Sequence, residues 1–151
     1  MRTLRILFLA LIVATPATAA FVPKGKVNKV LPQFLDLQGR YALLPSLYER
    51  DAYQAHLRET PAEVSGMRFA VHYRARPLDP DRLVLRLEFR SVHHVQPIVL
   101  QRNVKKAGLF GRWAEFRIEG EEYKRAGEIV AWRATLWDGQ RMLAEQLSFL
   151  W

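Results

Sequence analysis

From Ser65 onward apolar and polar residues alternate. Met67, Phe69, Val71, Tyr73 and Ala75 share one face of a run, and Arg68, Ala70, His72, Arg74 and Arg76 share the other. After Pro77 and Asp79-Pro80-Asp81 the alternation resumes. Leu83, Leu85, Leu87 and Phe89 point one way; Val84, Arg86, Glu88 and Arg90 point the other. A period of two is what a half-buried antiparallel strand requires, since successive side chains leave opposite faces of a sheet. Val95–Val104 is a third apolar run, Lys105–Gly111 reads as a loop, and Trp113–Glu119 alternates again. Gly120–Gly127 reads as a corner. Ile129–Trp137 and Met142–Trp151 flank Asp138-Gly139, a strong hairpin signal because glycine accepts positive φ. A two-residue turn and a three-residue turn with a bulge both fit, so the register stays open.

Upstream the period is different. Ser46 and Glu49 have capping-box spacing ahead of Leu47–Thr60, and Pro61 stops the pattern, which predicts one short helix. Phe34–Pro45 reads as two very short strand-like pieces around Gln38-Gly39. Phe21–Leu31, with Lys24, Lys26 and Lys29 among Pro and Gly, reads as an extended, mobile basic leader. Met1–Ala20 has a positive start at Arg2 and Arg5, a nine-residue apolar run from Ile6 to Ala14, and small residues at Ala17-Thr18-Ala19. That is a signal peptide cleaved after Ala19 or Ala20, since the run is too short for the roughly 20 residues of a spanning helix. The expected organisation is a signal peptide over 1–20, a leader over 21–33, a short hairpin and helix over 34–64, and a β-domain over 65–151. The chain is expected to be exported to the periplasm or beyond, with no transmembrane span after cleavage.

Length and composition narrow the class. At 151 residues with half of them hydrophobic, the chain can bury a real core as one domain. The formal charge is +8, which falls to +6 without Arg2 and Arg5. A basic excess suits anionic partners such as acidic glycans or membrane headgroups. No cysteine is present, which removes disulfides, thiolate metal ligands and lipidated cysteine together.

The run of strands from Gly66, the corner with Tyr123 and the closing hairpin AWRATLWDGQ-MLAEQ resemble immunoglobulin-like or fibronectin type III-like domains. The resemblance covers Gly66–Trp151. It implies an all-β antiparallel β-sandwich, here with one short N-terminal helix, used for binding or spacing. It implies no catalytic residue. In that family a tyrosine near the penultimate strand locks a corner; Tyr123 precedes that strand by several residues. The segments DLQGR and ERDAYQAHLR resemble small exported bacterial proteins.

Chemistry offers fewer handles. His93 and His94 are adjacent and would leave opposite faces of a strand, so they cannot share one metal. Asp79 and Asp81 lack the further acids a calcium site needs. No serine lies in a nucleophile elbow. A hydrolase or metal-binding protein would need a cleft joining His72, His93 or His94 to carboxylates. The expected function is therefore non-enzymatic, without cofactor or metal: a binding or structural module of the cell envelope, acting on an envelope protein or acidic glycan. The candidate ligand-binding residues are Trp137, Arg68, Arg74, Arg86 and Arg90. If the two strands carrying the arginines pair, they make one arginine-rich face, which Glu88 interrupts. Nucleic acid is disfavoured by the export signal and by the lack of an aromatic platform among these arginines. The domain is expected as a monomer or a dimer through an edge strand.

Overall fold

The computed structural model describes residues 22–151, so the signal peptide expected over residues 1–20 lies outside the described residues. Seven strands are seen: β1 (Lys24–Asp36), β2 (Val64–Arg76), β3 (Leu83–Ser91), β4 (His94–Asn103), β5 (Ala107–Glu119), β6 (Ile129–Asp138) and β7 (Arg141–Leu147). Two short helices join them, α1 (Leu47–Glu59) and α2 (Gly120–Ala126). The strands form two antiparallel sheets, one in the order β1-β2-β5 and one in the order β4-β3-β6-β7. Among the described residues no helix is long and apolar enough to cross a membrane.

The two-residue period accounts for the packing. Phe69, Val71 and Tyr73 of β2 join Leu83, Leu85, Leu87 and Phe89 of β3 in a single buried cluster, so the two sheets face each other across one core. Phe116 and Ile118 of β5 and Ala134 and Leu136 of β6 complete it. The central strands β2 and β3 commit an apolar face inward and a more polar face outward.

Several segments differ from the sequence reading. The basic leader is not a leader: Lys24–Asp36 is the first strand, paired along its length with β2. It looked like a loop because it carries Gly25, Pro32 and three lysines. Those residues suit an edge strand, where proline forfeits no ladder bond on the open side and lysines discourage further pairing. The hairpin expected over Phe34–Pro45 is only a turn after Asp36, closed by Asp36 N–H to the Arg40 carbonyl at 2.9 Å. The helix starts after Ser46 as expected, but the serine side chain makes no capping bond. The Gly120–Gly127 corner contains α2, whose final turn closes with Gly127 N–H donating to the Tyr123 carbonyl at 2.9 Å. The loop before β5 ends at Lys106, earlier than Gly111. The closing hairpin turns through Gly139 and Gln140, with Asp138 opposite Arg141 and a bulge between Leu136 and Trp137. Gly139 has φ +58.

Two devices manage the open edge of β1. Gln54 of α1 acts as a surrogate neighbour: its Oε1 accepts from Phe34 N–H at 2.7 Å and its Nε2 donates to the Phe34 carbonyl at 3.0 Å. Near its start, β1 closes onto β7 across the gap between sheets. A Cβ at Gly25 would lie 2.7 Å from Leu143 Cβ. Gly25→Ala should therefore cost about 1–3 kcal/mol through overpacking. Gly108→Ala, which meets nothing within 4 Å, should change stability by a few tenths at most. Thermal melts of the two variants compare them directly; equal stability would show that β1 does not close on β7.

Candidate functional site

The five candidate ligand residues do not share a face. β2 and β3 belong to different sheets. Arg68 and Arg74 therefore lie on the outer face of the three-stranded sheet, and Arg86 and Arg90 on the outer face of the four-stranded one. The single arginine-rich face is corrected to two faces on opposite sides of the core. Alternation set the faces within each strand, but the chain crosses between sheets at Pro77–Arg82, and nothing local marks that crossing.

On the four-stranded sheet the arginines cover tryptophans. Arg86 Cζ sits 5.1 Å from the centre of the Trp137 ring, and Arg90 Cζ 4.8 Å from that of Trp151. Trp137 is half-buried and its Nε1–H donates to Thr135 Oγ1 at 2.8 Å. One face of each ring is already taken by a guanidinium, so these tryptophans present no open stacking strip. Glu88, opposite Arg133 in register, does not take up that arginine. Arg133 pairs with Glu145 instead, at 3.0 Å.

The outer face of the three-stranded sheet carries a shallow dip. Ala70, at the middle of β2, lies between Leu31 of β1 and Glu115 of β5. Its small side chain leaves a dip of about 250 Å³, bordered by Gln33, Tyr41, Arg50, Arg68 and Trp113. Trp113 is 55% exposed. Its ring lies against His72 with centroids 4.9 Å apart. His72 is braced on both sides: Nε2 is 3.0 Å from the Phe110 carbonyl and Nδ1 is 3.3 Å from Asn28 Nδ2. A carbonyl only accepts, so Nε2 carries the proton and Nδ1 accepts from the Asn28 amide.

Arg68 forms the opposite wall. Its guanidinium lies 3.9 Å from the centre of the Tyr41 ring, Nη1 donates to Gln33 Oε1 at 2.8 Å, and Nε is 2.6 Å from Glu115 Oε2. Partial burial pushes the Glu115 carboxyl upward, but hydrogen bonds from Arg117 and Arg68 outweigh it and hold the group below its ordinary value. Arg50 reaches in from α1 and is held by Asp51 at 2.8 Å. The dip thus combines an open indole face with fixed guanidinium and amide groups. Such a set can stack on a sugar ring and bind an acidic oxygen.

Tyr41, Gln33 and Arg50 had no signal in the sequence, because the turn after Asp36 and the fold of α1 over β1 bring them here. Trp113 was visible as one of four tryptophans, without a mark that it alone is well exposed. Of the histidines, His56 pairs with Glu63 at 2.9 Å on the surface, and His94 lies 3.4 Å from Ser91 Oγ. Among the described residues no group of three His, Asp or Glu side chains is arranged to hold a metal ion. No protein-family model, curated protein or solved structure matches the chain.

Proposed function

We propose that this protein is a non-enzymatic, exported sandwich domain of immunoglobulin or fibronectin type III type, and that it binds an acidic glycan at the cell envelope. The strand orders β1-β2-β5 and β4-β3-β6-β7 support the fold assignment. Lettered in sequence as A, B, C, C′, E, F and G, they correspond to an A-B-E sheet against a C′-C-F-G sheet, the family's arrangement with C′ joining C, F and G. The non-enzymatic reading is supported by His72, whose ring nitrogens meet an amide and a carbonyl rather than a carboxylate.

The observation that carries the glycan reading is the dip over Ala70, with Trp113 open on one side and Arg68 fixed on the other. It replaces Trp137 as the stacking residue. Affinity electrophoresis in gels containing polygalacturonate, with neutral dextran as comparison, tests it. The wild type should be retarded by the acidic polymer alone. Trp113→Ala should weaken that retention about tenfold, the effect of losing one aromatic stacking partner with its buried area. Equal retardation by dextran, or retention unchanged in Trp113→Ala, would refute the assignment.

A further inference from the structure

We propose that the end of the fold carrying residues Gly108–Gly111 docks on an anionic bilayer, with Leu109 and Phe110 inserted below the headgroups and the surrounding cations on lipid phosphates. The pairing of β2 with β5 jumps from Tyr73 opposite Arg112 to Ala75 opposite Ala107. Four residues of β5 therefore stand across from Arg74 alone, and they bulge outward. Their side chains face water: Leu109 is 69% exposed and Phe110 is 89% exposed.

This bulge is braced. The Phe110 carbonyl accepts from His72 Nε2 at 3.0 Å. Gly111 has φ +71, and a Cβ there would run into the His72 ring and the Tyr73 carbonyl. Below it, the Tyr73 hydroxyl, buried in the core, donates to the Lys105 carbonyl at 2.8 Å and ties down the preceding loop. The fold thus holds two apolar side chains out in solvent, at no packing benefit to itself.

Cations surround them. Lys24 and Lys26 of β1, Arg74 and Arg76 of β2 and Leu109 border one depression of about 260 Å³. Lys105 and Arg112 flank the bulge and are exposed. None of these six cations is ion-paired among the described residues. Asp79, in the connection after Arg76, and Asp138, at the closing turn, are engaged in hydrogen bonds. Asp79 caps the Asp81 amide at 3.0 Å, and Asp138 is buried, accepting from Leu78 N–H at 2.7 Å. A soluble polyanion would use the cations and leave Leu109 and Phe110 in water. A bilayer uses both, and two weak signals together make a stable membrane contact.

The test is co-sedimentation of the chain, without its export segment, with vesicles of phosphatidylcholine alone or mixed equally with phosphatidylglycerol. Binding to the mixed vesicles, and little to the neutral ones, is expected. The double variant Leu109→Ser/Phe110→Ser should bind at least about tenfold more weakly, since both apolar groups then gain nothing from the bilayer. Its melting temperature should match the wild type, because neither side chain packs in the core. Lys26→Ala should weaken binding about fivefold. No sedimentation with anionic vesicles overturns the proposal. So does undiminished binding by the double variant, which would assign this end to soluble polyanions. Polygalacturonate retention by the double variant separates the two sites: vesicle binding lost with retention intact supports the bilayer site and leaves the glycan groove standing, whereas loss of both would show that the bulge serves the groove and overturn a separate membrane function.

Discussion

Phe69→Ala should lower the free energy of unfolding by about 3–5 kcal/mol. Phe69 lies on the central strand of its sheet, opposite Pro32 on one side and Phe116 on the other, and is fully buried. Its ring belongs to the same cluster as Leu85, Leu87 and Phe89 of the facing sheet. Truncation removes the transfer energy of the ring and leaves a cavity that neighbours on both sheets can only partly fill, since protein interiors pack like organic solids. Chemical denaturation of wild type and variant gives the difference directly. A loss below about 1 kcal/mol, the scale of a surface substitution, would mean that the sheets do not share this core.

The same residue shows what the sequence made legible. Alternation placed Phe69 inward and Arg68 outward, and β2 and β3 follow it closely. It could not say which strands are neighbours. Each inward face is specified locally, by period and residue type, whereas the partner of a strand is decided by how loops route the chain between sheets. Arg86 and Arg90 therefore ended on the far side of the molecule from Arg68 and Arg74. β1 shows the converse. Its Gly25, Pro32 and lysines argue for a loop when read alone, and become intelligible only once β2 stands beside them, Leu143 packs against Gly25 and Gln54 covers the edge. Trp113 is a third kind of case. Its alternation put it on the polar face of β5, but the openness of its ring depends on the dip over Ala70 and on Tyr41, which arrives from another segment.

The C-terminal segment also reads differently in three dimensions. The last strand was expected to run to Trp151. It ends at Leu147, and Ser148 extends the pairing by one step through bonds to Trp132 at 2.8 and 2.9 Å. Phe149 and Leu150 are exposed. Leu143, in the middle of β7, is the residue of this strand that meets β1 at Gly25.

Asp36→Ala should cost about 2 kcal/mol, the scale of leaving the donors that a buried carboxylate satisfies without their acceptor. The Asp36 carboxylate is only 3% exposed. It accepts from the Tyr53 hydroxyl at 2.7 Å, from Arg40 Nε and N–H at 2.8 Å each, and from Gln38 N–H at 2.9 Å. Burial alone would raise its pKa. The Arg40 amide, Tyr53, the Arg40 guanidinium and the Gln38 amide together reverse that and bring it from 3.8 to about 2. A carboxyl whose folded pKa lies below its unfolded one stabilises the fold fully above the unfolded value, and loses that contribution as pH falls through the folded one. The window is therefore from about pH 4 down to about pH 2. Melting temperatures of wild type and Asp36→Asn should differ by a constant amount above that window and converge across it. A difference that persists unchanged to pH 2 would show that the charge of Asp36 is not what the network uses. The consequence reaches the proposed site. Asp36 joins the end of β1 to the turn through Arg40 and to α1 through Tyr53, and that turn and helix carry Tyr41 and Arg50. Loss of the carboxylate frees the wall against which Arg68 is held, so Asp36→Ala should weaken polygalacturonate retention even under conditions where the domain remains folded.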